Sequence, residues 1–187
     1  MNENSVNGFE KIISQIDKDS FVLDVGASGH EGENTTNYLI KRFENYFGIC
    51  IQPEKVEAYK DNHPEAHIIV GDFYKHKFKD KFDVVVLDLN IENNVIQDWS
   101  LEGLQNVREL LNDGGILINY VMTTDQYGDA DVTPALIRKR WVEFWKVDKL
   151  TNEAIGKRLE NIPGFDLFAH EVEERRPYIM WVGLKKK

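Results

Sequence analysis

Apolar and polar positions along this chain switch repeatedly between a helical and an extended period. Phe9, Ile12, Ile13 and Ile16 fall three or four residues apart, which predicts an amphipathic helix over residues 5–17. Phe21 to Val25 is a short apolar run ending in Asp24-Val25-Gly26, and it predicts a strand followed by a glycine-bearing loop. Asn34-Thr35-Thr36 are good capping residues for a helix carrying Tyr38, Leu39, Ile40 and Phe43. The alternation then repeats with a strand over Tyr46–Ile51, a helix over Pro53–Asn62, a strand over His67–Val70 and a strand over Phe82–Asp88. The last is almost continuously apolar, as expected of a strand covered on both faces. A helix near Trp99–Leu111, with Leu104, Val107 and Leu111 on one side, runs into Asp113-Gly114-Gly115 and a strand over Ile116–Met122.

Strands alternating with helices at these intervals predict parallel pairing through crossovers, with a ligand crevice at the carboxyl ends of the strands. After Met122 the pattern changes. A polar loop over 123–131 leads to Thr133-Pro134, a cap followed by proline in the first helical turn. Ile137, Trp141, Phe144 and Trp145 make a helical stripe that is read as core packing. Phe165–Val172 and Tyr178–Leu184, joined by Glu173-Glu174-Arg175-Arg176-Pro177, predict a closing antiparallel hairpin. The expected fold is α/β: a doubly wound, mostly parallel seven-stranded sheet with a C-terminal antiparallel hairpin and helices on both faces.

Composition narrows this reading. A chain of 187 residues that is 42% hydrophobic, with ten Phe, seven Tyr and four Trp, fills one core and is too short for two ordinary domains. The first ten residues lack the pattern of a secretory leader and no run reaches membrane-spanning length, so a cytoplasmic protein with no membrane partner is expected. Cys50 is the single cysteine, which leaves no intrachain disulfide and no cysteine zinc cluster. A formal charge of -9 repels a phosphate backbone. Arg138-Lys139-Arg140 and Lys185-Lys186-Lys187 read as solvated faces, so nucleic acid is disfavoured and a small-molecule partner preferred. Oligomeric state is not legible.

The chemistry is expected at the first loop, Asp24-Val25-Gly26-Ala27-Ser28-Gly29-His30-Glu31-Gly32, where glycines between strand and helix let a ligand approach the backbone. No Lys-Ser or Lys-Thr follows, which excludes a P-loop, and the dinucleotide spacing G-x-G-x-x-G is absent. FVLDVGASG resembles the first motif of class I, Rossmann-like, S-adenosylmethionine-dependent methyltransferases, and the resemblance extends in order across most of the chain. It implies that Asp24, Gly26, Ser28 and Gly29 embrace the methionine part of the cofactor. Tyr46 to Glu54 resembles the ribose-binding segment and brings in Cys50 and Ile51. Cys50 stands where the family usually carries an acid that grips both ribose hydroxyls, a loss worth about 1.5–3 kcal/mol of binding. Gly71-Asp72-Phe73 resembles the adenine-contacting segment, which implies Asp72 and Phe73, with the carboxylate accepting from the exocyclic amine. Phe82 to Asp88 resembles the fourth-strand motif, which places Asp88, Leu89 and Asn90 at the reaction centre. Asp88 and Asn90 are the expected catalytic residues, and Asp88 is also expected to touch the cofactor. Along the chain the resemblance implies one methyltransferase-like domain over 1–187. Its parts are an N-terminal helix (1–18), a cofactor-binding core (19–122), substrate-side helices (123–164) and the hairpin (165–187).

Other residues are read more plainly. His30 and Glu31 are in reach of a cofactor but read as inert loop residues, and the remaining histidines lack zinc-ligand spacing. Cys50 reads as a buried small side chain rather than a nucleophile. Asn119-Tyr120 replaces a second acid after the fifth strand, so no metal is expected, and Tyr120 and Asp125 are candidate substrate contacts. The expected activity is methyl transfer from S-adenosylmethionine to an oxygen or nitrogen of a small-molecule acceptor. The alternative is a noncatalytic module of the same fold with a degenerate ribose site at Cys50. A nicotinamide oxidoreductase is disfavoured by the glycine spacing.

Overall fold

A computed structural model describes residues 8–27, 35–87, 101–123, 142–173 and 179–187. Seven strands form one sheet in the order β3-β2-β1-β4-β5-β7-β6. They are β1 (Phe21–Val25), β2 (Asn45–Cys50), β3 (Ile68–Val70), β4 (Phe82–Leu87), β5 (Leu111–Met122), β6 (Phe165–Val172) and β7 (Ile179–Lys186). The first five pair in parallel, and β7 inserts antiparallel between β5 and β6. The order reverses between β1 and β4, which is where an open α/β sheet forms its crevice. The expected doubly wound sheet with a terminal hairpin is therefore the one observed.

Side-chain alternation sorts the sheet's two faces. Val22, Val84, Val86, Ile118 and Trp181 pack under α1 (Gly8–Ile13) and α2 (Thr35–Arg42). Leu23, Val85, Leu117 and Val182 pack under α4 (Leu101–Leu110) and α5 (Asn152–Leu159), together with Trp145. A smaller cluster of Ala27, Cys50, Val56, Tyr59, Ala66 and Ile68 lies beneath α3 (Pro53–Asn62). Helix α3 starts on Pro53, whose missing N–H is one the first turn would leave unsatisfied anyway. Helix α5 starts on Thr151, whose hydroxyl accepts from the Ala154 N–H at 3.1 Å.

Several boundaries differ from expectation: β2 runs Asn45–Cys50 rather than Tyr46–Ile51, β7 runs on to Lys186 rather than Leu184, and α4 ends at Leu110 rather than Leu111. Regular helix α1 covers Gly8–Ile13 rather than 5–17, with turns after it, and residues 5–7 lie outside the described part. Strand β3 begins at Ile68 rather than His67. Strand β5 begins at Leu111, not Ile116, because Leu111 pairs with Phe82 and the register shifts before Ile116 meets Val84. Gly114, at φ 75, absorbs that irregularity inside the strand instead of ending a turn before it. Asp83 holds this end of the sheet: its Oδ2 accepts from the Phe21 N–H at 2.9 Å and its Oδ1 from Asn112 Nδ2 at 2.8 Å.

Candidate functional site

The carboxyl ends of β1, β2 and β3 bring together Asp24, Gly26, Cys50, Ile51, Asp72 and Phe73. Cys50 pairs in register with Val70, and the Gly71 N–H donates to the Cys50 carbonyl at 2.8 Å. Gly26 follows β1 at φ 89, a conformation that glycine adopts without a Cβ penalty, and its N–H donates to the Ile49 carbonyl at 2.9 Å. The chain therefore turns sharply off β1 while staying fastened to β2.

Asp24 is 0% exposed. A carboxylate this deep is tolerated only with strong hydrogen bonds. Its Oδ2 accepts from the Thr36 hydroxyl and from the Tyr46 hydroxyl, each at 2.8 Å. Thr36, expected as a helix cap, is buried in the first turn of α2 and turned onto the sheet. Burial, followed by the charge and hydrogen bond of Asp24, pushes the Tyr46 phenol well above its ordinary value, so it stays a donor. Nearby, the Tyr59 hydroxyl donates to Asn37 Oδ1 at 2.5 Å. Burial and then the charges of Asp24 and Glu65 push Tyr59 up to about 12.

Gly48 stands beside Asp24 in register on the neighbouring strand. A Cβ there would lie 2.8 Å from the Tyr46 hydroxyl, 2.8 Å from Ala27 Cβ and 2.9 Å from Ile68 Cγ1. The absence of a side chain at Gly48 is what lets the phenol reach the carboxylate.

At the end of β2, Cys50 is 7% exposed and packs into the cluster under α3, while Ile51, the next residue, is 60% exposed. At the end of β3, Val70 is 50% exposed. Two adjacent strand ends thus each leave a large apolar side chain open, where it can be covered by an apolar ligand. Asp72 follows β3 by two residues: Oδ1 accepts from the Tyr74 N–H at 3.0 Å and Oδ2 pairs with Lys75 at 2.9 Å. The Lys75 hydrogen bond, assisted by the Tyr74 N–H, holds this carboxyl below its ordinary value, so it is ionised and able to accept from a further donor. Phe73 packs edge-on against Tyr74, with ring centroids 5.1 Å apart, and against the core beside Phe78.

Of the expected site residues, Ser28, Gly29, Asp88 and Asn90 lie outside the described residues, as do His30, Glu31, Leu89 and Asp125. The same holds for the loop and helix start over 124–136, for Ile137, Trp141 and the basic residues 138–140, and for the hairpin turn 174–178. Tyr120 is partly buried against Trp181, with ring centroids 5.3 Å apart. Among the described residues no three His, Cys, Asp or Glu side chains gather as metal ligands, and no helix is long and apolar enough to cross a membrane. Sequence reasoning missed Tyr46 and its bond to Asp24. The available signal was Tyr46-x-Gly48-x-Cys50, a large, absent and small side chain in succession on one face of a strand.

A family model described as methyltransferase domain matches residues 23–119, just over half of the chain. No curated protein sequence matches it. Among solved structures, a TehB-like SAM-dependent methyltransferase from Corynebacterium glutamicum is similar at a TM-score of 0.62 and 18% identity, over 99% of this chain and 90% of that one. The glycopeptide N-methyltransferase MtfA, solved with S-adenosyl-L-homocysteine, gives a TM-score of 0.63 at 16% identity, over 96% of this chain and 88% of that one. A putative rRNA methylase from Clostridium thermocellum gives 0.61 at 14% identity, over 98% of this chain and 100% of that one. At such identities the likeness is one of fold. The cluster from Asp24 to Phe73 lies inside the span that the family model matches.

Proposed function

This chain belongs to the methyltransferase domain family, and from that premise we propose that it binds S-adenosylmethionine across the ends of β1, β2 and β3 and methylates an oxygen or nitrogen of a small-molecule acceptor. The observation that carries the reading is the adjacency of three strand ends that carry the exposed Ile51, the ionised Asp72 and the glycine turn at Gly26 after buried Asp24. An adenine suits these groups: an exposed apolar side chain covers its face and its exocyclic amine donates to Asp72. Asp24 and Gly26, with Ser28 and Gly29, are assigned to the amino-acid portion, and Phe73 backs the adenine subsite from the core.

When bound, the cofactor supplies an electrophilic methyl group on its sulfonium. The chain's own work is alignment and exclusion of water. Asp24 Oδ2 accepts from two hydroxyls, which fixes the carboxylate and the strand end that carries it. Asp88 and Asn90 are assigned to orienting the acceptor or taking its proton, and the segment 123–164 to shaping the acceptor pocket.

Cys50 favours a second reading, a noncatalytic binding module, because a buried thiol is a poor acceptor for ribose hydroxyls. Calorimetric titration with S-adenosylmethionine and S-adenosylhomocysteine, of the native chain and of Cys50→Asp, separates the two. Micromolar binding by the native chain supports the enzyme. Binding seen only after Cys50→Asp supports the degenerate module, and no binding by either chain overturns the cofactor assignment. Where both bind, Cys50→Asp is expected to bind about tenfold more tightly, the worth of a recovered charge-assisted hydrogen bond.

A further inference from the structure

Tyr46 takes no part in the function proposed above, yet its hydroxyl is buried against the carboxylate that heads the site. Asp24 is the last residue but one of β1 and Thr36 the second of α2, so the Thr36 hydroxyl on Asp24 Oδ2 ties the strand to the helix that follows it. Tyr46 reaches the same oxygen from β2 and fastens that tie to a third element. The arrangement has a built-in accommodation, since the missing side chain of Gly48 leaves the space that the phenol oxygen needs. Two donors converging on one carboxylate oxygen fix its rotation as well as its charge, which is what a buried acid needs in order to present a constant geometry.

We propose that Tyr46 is a positioning residue for the amino-acid portion of the cofactor: with Thr36 it fixes Asp24 and the two ends of the β1–α2 connection against which that portion lies. The inference rests on the cofactor reading above. It also divides the site. The adenosine portion is assigned to Ile51, Val70 and Asp72, none of which bonds to the Tyr46, Thr36 and Asp24 group, so disturbing that group should be felt by one end of the ligand only.

The test is calorimetric titration of the native chain, Tyr46→Phe, Thr36→Val and Tyr59→Phe with two ligands. One is S-adenosylhomocysteine; the other is 5′-methylthioadenosine, which keeps the adenosine and sulfur but lacks the amino-acid portion. Tyr46→Phe and Thr36→Val are expected to raise the Kd for S-adenosylhomocysteine about tenfold and to leave that for methylthioadenosine within about twofold. Tyr59→Phe, whose hydroxyl bonds to Asn37 rather than to Asp24, should leave both within about twofold. A purely structural tyrosine would weaken both ligands alike. Equal losses for the two ligands, or an unchanged Kd for S-adenosylhomocysteine in Tyr46→Phe, overturn the assignment. Should Tyr46→Phe not fold, Thr36→Val carries the same comparison, because it removes the other donor to the same oxygen. Native chain that binds neither ligand overturns the cofactor reading and this inference with it, whereas native binding with losses blind to the amino-acid portion overturns the inference alone.

Discussion

Replacing Gly48 with alanine adds one carbon at the most crowded point of the site. Carbon atoms in contact settle about 3.5–4.0 Å apart, and the new Cβ would lie 2.8 Å from Ala27 Cβ and 2.9 Å from Ile68 Cγ1. Neither neighbour can swing away. Ala27 has no torsion to turn, and Ile68 is fully buried under α3. The third neighbour, the Tyr46 hydroxyl at 2.8 Å, is held by Asp24. Relief must come from moving β2 against β1 and β3, with which Gly48 pairs at Asp24 and Ile68. Overpacking of this kind costs about 1–3 kcal/mol, offset by about 0.4–1 kcal/mol because alanine restricts the unfolded chain. A net loss of roughly 1–2 kcal/mol lowers the Tm by about 2–8 °C in a chain of this size. Urea denaturation and a thermal melt, both followed by circular dichroism, measure it. A midpoint equal to or above that of the native chain would refute the claim that Gly48 is held by steric need.

Gly156→Ala should act in the opposite direction. It lies inside α5, a Cβ there meets nothing within 4 Å, and the substitution should raise stability by about 0.4–1 kcal/mol; a lowered urea midpoint would count against the open surface described there. Tyr59 and Tyr46 predict an alkaline weakness. Tyrosines of the unfolded chain ionise near about pH 10, whereas Tyr59 is pushed up to about 12 and Tyr46 well above its ordinary value. Between about pH 10 and 12 the folded state keeps protons that the unfolded state releases, so these groups make stability fall as pH rises through that window and leave it level below. Urea midpoints at about pH 8, 10 and 11 should fall less steeply in Tyr59→Phe than in the native chain, and equal slopes would exclude the contribution.

Local signals were legible where they agreed with packing. Proline at the start of α3 and the apolar runs of β4 and β6 placed those elements within a residue, because each rests on a rule of short range. The start of β5 was misjudged because Asp113-Gly114-Gly115 looks like a turn. What keeps it in the strand is the pairing of Leu111 with Phe82, a contact across nearly thirty residues that no local pattern announces. The site divides in the same way. Asp24, Gly26 and Asp72 were visible as an acid or glycine at a strand end. The bond from Tyr46 to Asp24 was not, since it depends on the register that sets Gly48 beside Asp24. Thr36 was assigned to a cap because threonine before an apolar helix usually caps. Here burial beside a carboxylate offers its hydroxyl a charged partner instead.

The placing of β7 between β5 and β6 bears on how the chain is made. Synthesis delivers β6 to the growing polypeptide before the strand that must separate it from β5, and direct joining of β5 to β6 would leave β7 without its place. The parallel half of the sheet can assemble as it leaves the ribosome, but the antiparallel half has to wait for the strand synthesised last of the seven. Until then β5 presents an open edge. Folding of that half is therefore timed by the release of residues 179–186 rather than by their distance from β6 in the sequence, and the nascent chain passes through a stage in which one strand edge of the sheet is unpaired.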